Sequence, residues 1–364
     1  MSNKEIGSEF WTNCTPQTID ALYSICPKSI YDNYPYAVIE TLSGRTALEH
    51  IVEILVKEGK TSVYLPTYCC HTMIEPFLTH GMKVSFYDVM LSNNGLHRDI
   101  DLDNNYDVVF LMDYFGHTDE ETLRIALYQK QRGKTLIYDA THSMYSNIEY
   151  DPYDFVYGSY RKWLDINCGF LAWKKVLSHG VITQNDNYEA YASIRTELFD
   201  KKSEFIKGGL IKKEEFLPLI NMAETILEEQ YHHKKPDPRS LEMLKHADAE
   251  YIKKRRIDNA KILTEAINKI NDERIHCFNP ILNTFDTPLF VPVFVSSKDR
   301  GELRKHLTTN SIYCPIHWPL SEFHPYITNS KALYDSELSL ICDQRYDGED
   351  MFRIIDNISN YLQK

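Results

Sequence analysis

Leu136-Ile-Tyr-Asp139-Ala-Thr-His142-Ser143, followed by Asp154-Phe-Val-Tyr-Gly-Ser159-Tyr-Arg161-Lys162-Trp163-Leu164, contains two strand-length apolar runs that each end in chemically useful side chains. The first reads as a buried strand ending in a carboxylate, at the edge where an open α/β sheet receives its ligand. Asp139 in that place fits a metal ligand, a cap for the next helix, or the partner of a cationic ring nitrogen, and spacing alone leaves all three open. His142 reads either as a partner of Asp139 or as a structural histidine. The second run enters a polar turn and then a lysine flanked by Arg161 and Trp163. A lysine that is partly desolvated beside another cation has a lowered pKa, as an imine-forming amine requires. Any single lysine is by default a surface group. Ser159, three residues before Lys162, is spaced to donate to a phosphate.

Upstream, Leu42-Ser43-Gly44-Arg45-Thr46-Ala47-Leu48 is a turn opening directly into an amphipathic helix. The free N–H groups and positive dipole end of such a helix bind anions, and Gly44 admits a phosphate close to the backbone. An ordinary cap, Ser43 closing the helix and Gly44 turning the chain, reads equally well from this segment alone. Around these pieces, short apolar strands are expected at Ser62–Leu65, Lys83–Tyr87, Val108–Met112, Thr135–Tyr138, Phe155–Tyr157 and Phe170–Trp173. Several are apolar on both faces, as in a buried parallel sheet. Helices are expected at Arg45–Lys57, Thr72–Thr79 and Glu120–Gln131, giving an α/β fold with a mainly parallel doubly wound sheet.

Residues 1–36, rich in Pro and aromatics (Phe10, Trp11, Tyr23, Tyr31, Tyr34, Tyr36), read as an arm packed on the body. Residues 37–247 form the large domain, with a charged helical insertion over 187–247 broken at Lys234-Lys-Pro-Asp-Pro238. Residues 248–364 start with one long helix to Ile270, which bridges to a smaller α/β domain. That domain is expected to contain strand Leu289–Val295, helix Arg300–Leu307, strand Ser311–Ile316 and closing helix Asp350–Leu362.

Composition narrows the function. The chain of 364 residues is 43% hydrophobic and 25% charged, in the globular range. Its net charge of −12 excludes a general nucleic-acid binder, which needs a basic face, but leaves anionic small molecules open. No apolar run reaches membrane-helix length and no signal peptide opens the chain, so a cytoplasmic protein without membrane contact is expected. The eight cysteines form no C-x-x-C and read mainly as small buried hydrophobes. Gly59-Lys60-Thr61 and Gly133-Lys134-Thr135 are not P-loops, since Ile54 and Tyr128 stand where the first glycine belongs. The G-x-G-x-x-G, H-E-x-x-H and G-x-S-x-G motifs are absent. His232-His233 lies in a polar break and reads as solvated, so no metal is expected.

The order Ser-Gly-x-Thr-Ala, Asp-Ala-x-His-Ser, Ser-x-x-Lys resembles the pyridoxal-phosphate enzymes of fold type I, most of all the DegT/DnrJ/EryC1/StrS aminotransferases. Leu65-Pro66-Thr67-Tyr68, Asp113-Tyr114-Phe115-Gly116-His117, Ile312-Tyr-Cys-Pro-Ile-His317-Trp318-Pro319-Leu320 and Leu338-Ser339-Leu340 resemble further landmarks, so the likeness runs nearly end to end. It implies an aspartate-aminotransferase-like fold with pyridoxal 5'-phosphate on Lys162 as a Schiff base. Asp139 would then hold the pyridine nitrogen protonated, with His142 beside it. Ser43, Gly44, Arg45, Thr46 and Ser159 would bind the phosphate, and Tyr68, Cys70 or His71 would lie against the ring. The family's usual stacking aromatic aligns with Cys70, and Asp165–Gly169 departs from its Gly-Glu-Gly-Gly loop. Tyr114, His317, Trp318 and Arg345 are the substrate-side candidates; Arg345, unusual for the family at this place, reads either as a bidentate carboxylate clamp or as a plain surface arginine. The implied reaction moves an amino group from an amino acid, glutamate by family habit, to a keto-sugar or other small keto compound. A homodimer with shared active sites is implied. Other chemistry of the same cofactor (dehydration, elimination, decarboxylation), a non-catalytic protein binding a sugar nucleotide or a partner, and a thiol enzyme using Cys70 and His71 are the rival readings.

Overall fold

The computed structural model describes residues 4–12, 37–92, 95–174, 189–278, 286–325 and 329–364. In chain order, the elements of the large sheet and its helices are β2 (Ala37–Thr41), α1 (Gly44–Lys57), β3 (Ser62–Pro66), α2 (His71–Thr79), β4 (Lys83–Ser92) and β5 (Gly95–Asp99). They continue with β6 (Val108–Met112), α3 (Glu120–Gln131), β7 (Thr135–Asp139), β8 (Phe155–Ser159) and β9 (Gly169–Trp173), while β1 (Ile6–Gly7) lies elsewhere. The eight strands run in the order β2-β9-β8-β7-β6-β3-β4-β5. From β4 through β3, β6 and β7 to β8 every pairing is parallel, and β2, β9 and β5 pair antiparallel at the flanks. Val108–Met112 is buried at every position, which follows from helices covering both faces of a parallel sheet. The mainly parallel α/β core is therefore as expected, with β2, β5 and an extension of the expected Lys83–Tyr87 strand to Ser92 added to it.

Because β3, β6, β7 and β8 are parallel, their last residues lie along one edge, with Met112 opposite Asp139 and Asp139 opposite Tyr157. Ser43 caps α1 by accepting from Thr46 N, and α1 packs on β8 and β9, so its N-terminus meets that same edge.

The helical segment contains α4 (Glu189–Ile206), α5 (Leu217–Gln230) and α6 (Pro238–Lys245). The break expected at Lys234–Pro238 has a companion before α5, where Gly208 takes φ +81° and ends a helix. The long helix is α7 (Ala249–Ile270), followed by β10 (Ile275–Cys277), β11 (Val291–Val295), α8 (Arg300–Thr309), β12 (Ile312–Tyr313), α9 (Lys331–Ser336), β13 (Glu337–Leu340) and α10 (Gly348–Leu362). β10-β11-β13 form an antiparallel sheet. The expected strand Ser311–Ile316 shrinks to two residues pairing with β1, because Pro315 has no N–H to donate. Here Ile6, Trp11, Leu263, Val293, Leu338 and Ile354 share one hydrophobic cluster, separate from the one around the large sheet. The arm residues Tyr23, Tyr31, Tyr34 and Tyr36, with Cys14 and Cys26, lie outside the described residues.

Candidate active site

At the C-terminal edge of the large sheet lies a cavity of about 230 Å³ lined by Ser43, Gly44, Arg45, Cys70, His71, Asp139, His142, Ser159, Lys162 and Trp318 among others. Gly44 and Arg45 are the first residues of α1, whose opening N–H groups have no intrahelical acceptor. A Cβ on Gly44 would sit 3.1 Å from the Ser159 Cβ, so the glycine is what keeps β8 and the helix end this close. Behind this turn, a Cβ on Gly169 would fall 2.3 Å from the Ser43 carbonyl carbon. The loop Asp165–Gly169 thus packs against the back of the turn. Its Asn167 N–H donates to Ser240 Oγ at 2.8 Å and its Asp165 pairs with Arg239, so it braces the site rather than lining it.

Asp139 is 1% exposed. Its Oδ1 accepts from Thr141 N–H at 2.8 Å and its Oδ2 from the Tyr157 hydroxyl at 2.8 Å. Burial raises its pKa, and these two donors oppose the shift. His142 accepts from Phe115 N–H through Nδ1 at 3.2 Å, which leaves Nε2 to carry the proton of the neutral ring. Burial, then His317 and Lys162, push its pKa well below the ordinary value, so it is uncharged. The Trp318 ring lies 5.2 Å from it, tilted by 31°.

Lys162 ends a short 3-10 turn, Tyr160–Lys162, directly after β8. Its side chain opens to the cavity, while surrounding protein and the Arg161 guanidinium lower its pKa. Arg161 is itself held by Glu224 at 2.5 Å. Cys70 stands at the N-cap of α2 and accepts from the Thr72 hydroxyl at 3.3 Å. Although burial works against it, hydrogen bonds from His71 and Thr72 bring the thiol down to about 7. The other described cysteines (Cys69, Cys168, Cys277, Cys314, Cys342) are buried, and burial raises each thiol.

Lys162 also borders a second cavity of about 520 Å³, lined by Arg161, Glu224, Arg256, Arg304, Asp343 and Arg345 among others. Arg256, on α7, is fully buried over the Trp163 ring at 4.4 Å, and its Nη2 has no hydrogen-bond partner among the described residues.

Five candidates are placed differently from expectation. Thr46 is buried behind the cap, where its hydroxyl donates to Tyr231 O at 2.8 Å, so it does not line the cavity. Tyr68 spends its hydroxyl on His317 O at 2.5 Å, in the core. Tyr114 donates to Tyr68 O and borders a different cavity, with His97 and Arg98. His317 is 4% exposed, behind Trp318, with its Nδ1 3.0 Å from Ser339 Oγ. Arg345 is buried and paired with Asp343 at 2.7 and 2.9 Å. It also donates to Ser8 and Glu9 carbonyls and lies over Phe10 at 4.1 Å, so its fork is already taken. Tyr157, Thr141, Glu224 and Arg256 are the side chains the sequence reading passed over. Tyr157, the partner of Asp139 one strand away, and Thr141, two residues after it, had a signal, whereas Glu224 and Arg256 come from distant segments.

This strand order, with a helix N-terminus, a buried aspartate and a lysine gathered at one sheet edge, is the fold of the fold-type I transferases. Solved structures sharing it include Helicobacter pylori PseC, an aminotransferase involved in pseudoaminic acid biosynthesis, with a TM-score of 0.69 and 12% identity over 99% of this chain and 100% of that one. Bacillus subtilis NtdA, with bound cofactor PMP, matches with a TM-score of 0.65 and 13% identity over 100% and 87%. A DegT DnrJ EryC1 StrS aminotransferase from Brucella abortus matches with 0.60 and 14% over 98% and 92%. No family model and no curated protein matches the sequence.

Proposed function

We propose that this chain is a pyridoxal-phosphate-dependent aminotransferase of the DegT/DnrJ/EryC1/StrS kind. On this reading it moves an amino group from an amino acid such as glutamate to a keto-sugar or other small keto compound, and it works as a cytoplasmic homodimer. The observation that carries the reading is the gathering of Gly44, Arg45, Asp139, Ser159 and Lys162 on one cavity, with the glycine letting the helix N-terminus and Ser159 come together. When bound, the cofactor supplies an electron sink that lets bonds at a substrate α-carbon break.

The backbone N–H groups of Gly44 and Arg45 and the Ser159 hydroxyl hold the phosphate at the helix end. Asp139, fixed by Tyr157 and Thr141, keeps a proton on the pyridine nitrogen, since a buried carboxylate favours a cationic neighbour. Neutral His142 and Trp318 confine the ring. Lys162 would be the residue that binds the cofactor, and its amine, weakened as a base by the surrounding protein and Arg161, would serve to carry a proton at the substrate carbon. The second cavity receives the substrate, whose carboxylate or phosphate meets Arg256 and Arg304.

The test is the visible spectrum of the protein with pyridoxal phosphate, before and after borohydride, alongside Lys162→Ala. Wild type is expected to turn yellow and, once reduced, to carry the cofactor covalently. The variant should fail to retain it and lose turnover by at least about 10²–10⁴-fold, the scale of a positioned proton-transfer group. A wild type that stays colourless overturns the proposal.

A further inference from the structure

Away from the cofactor cavity, α1 turns Glu49, His50 and Glu53 toward the break after α5. His50, Glu53 and His233 each present a ligand atom there within 4.8 Å of one another. His233 Nε2 is 3.1 Å from Glu53 Oε1, and His50 Nδ1 is 4.0 Å from Glu53 Oε2. His50 is 1% exposed, and neither of its ring nitrogens has a hydrogen-bond partner among the described residues. A buried imidazole with both nitrogens unused is costly, because polar groups taken from water normally find partners. Donor atoms around a tetrahedral ion at about 2.1 Å lie about 3.4 Å apart, and the 3.1 and 4.0 Å separations to the two Glu53 oxygens bracket that value.

We propose that His50, Glu53 and His233 bind a divalent cation of the zinc type, clamping the 231–234 segment onto α1. Two imidazoles and one carboxylate are a donor set suited to zinc, with the fourth position left to water or to a neighbouring side chain. Glu49 supplies a second carboxylate close by: Glu49, Glu53 and His80 form an overlapping group, and the Glu49 Oε2 is buried without a partner. The clamp reinforces contacts already present, Thr46 Oγ1 to Tyr231 O and Leu42 N to Lys234 O, beside the helix whose first residues line the cofactor cavity. The histidine pair read from sequence as solvated is divided: His232 pairs with Glu49, and His233 faces His50.

The full-length protein, stripped with a chelator, is titrated with Zn²⁺ alone and its metal content is measured after equilibrium dialysis. One tightly held Zn²⁺ per chain is expected, together with a rise in the thermal midpoint. His233→Ala should weaken binding by at least the 10–100-fold that loss of even an outer partner typically costs, and should abolish the thermal shift. His233 is 37% exposed, so this variant does not depend on rebuilding the core. Glu53→Gln should behave alike, while Cys70→Ser should retain the ion, which separates this site from thiol binding. Absence of a stoichiometric ion, or full retention in His233→Ala, overturns the proposal.

Discussion

Tyr157 reaches Asp139 across one strand spacing, and its phenol donates to that carboxylate at 2.8 Å. Removing it in Tyr157→Phe leaves the ring in place and deletes one hydrogen bond to a buried charge, worth roughly 1.5–3 kcal/mol. Cofactor affinity, followed by titrating the visible band, is therefore expected to fall by about 10-fold or more while the fold survives. Glu337 offers a contrasting test. It is fully buried, accepts from His317 N–H at 2.7 Å and from the Ser339 hydroxyl at 2.5 Å, and burial raises its carboxyl from 4.5 to about 8. The folded protein thus keeps a proton there that an unfolded chain releases. The associated stability is complete below pH 4.5 and is lost as pH rises through 8. Urea titrations at several pH values should show this decline between pH 5 and 8 in wild type, and Glu337→Gln should flatten it.

Among the elements, the junction between α1 and β9 sets the shape of the phosphate end. Gly169 lies so close to Ser43 that an added methyl would enter the Ser43 carbonyl, and backbone cannot swing aside as a flexible side chain can. Gly169→Ala is expected to cost about 1–3 kcal/mol by overpacking and to displace the capped turn. Thermal unfolding would show the first effect and weakened cofactor retention the second. The strand–helix rhythm was legible in the sequence because Val108–Met112 and its neighbours are apolar on both faces, and β-branched runs between polar helices have few other solutions. The first half of β4 was legible, at Lys83–Tyr87, whereas its second half, β5 and β2 escaped it. Asp88–Ser92 mixes buried and part-exposed positions as a flank strand does, and Ala37–Thr41 is half-exposed, so neither carries the strong apolar run of a central strand.

Over the whole molecule, Arg345 ties the start of the chain to the second hydrophobic cluster. Its guanidinium joins Asp343, the Ser8 and Glu9 carbonyls and the Phe10 ring. Arg345→Ala leaves Asp343 buried beside only more distant cations, and loss of one partner of a buried pair typically costs about 3–5 kcal/mol. A lowered urea midpoint with an unchanged KM for the amino donor is the expected pattern. An intact midpoint with a raised KM would instead restore the carboxylate-clamp role. Light scattering on the same samples checks the homodimer.

What the sequence by itself determined is the set of local choices: apolar runs, the cap at Ser43, the glycine beside it, and the order in which Asp139, Ser159 and Lys162 follow. These depend on neighbours a few residues apart, so pattern and spacing reveal them. Only the tertiary structure decided which hydroxyls and guanidinium groups remain free. Thr46, Tyr68 and Arg345 are chemically suited to a ligand, yet each is spent on Tyr231, His317 or Asp343, partners brought near by folding. The same folding sets His50 beside His233, far apart along the chain, and leaves its nitrogens without a hydrogen bond among the described residues. Hydrogen-bonding capacity belongs to the residue type, but its use is settled by what burial places within about 3 Å of it.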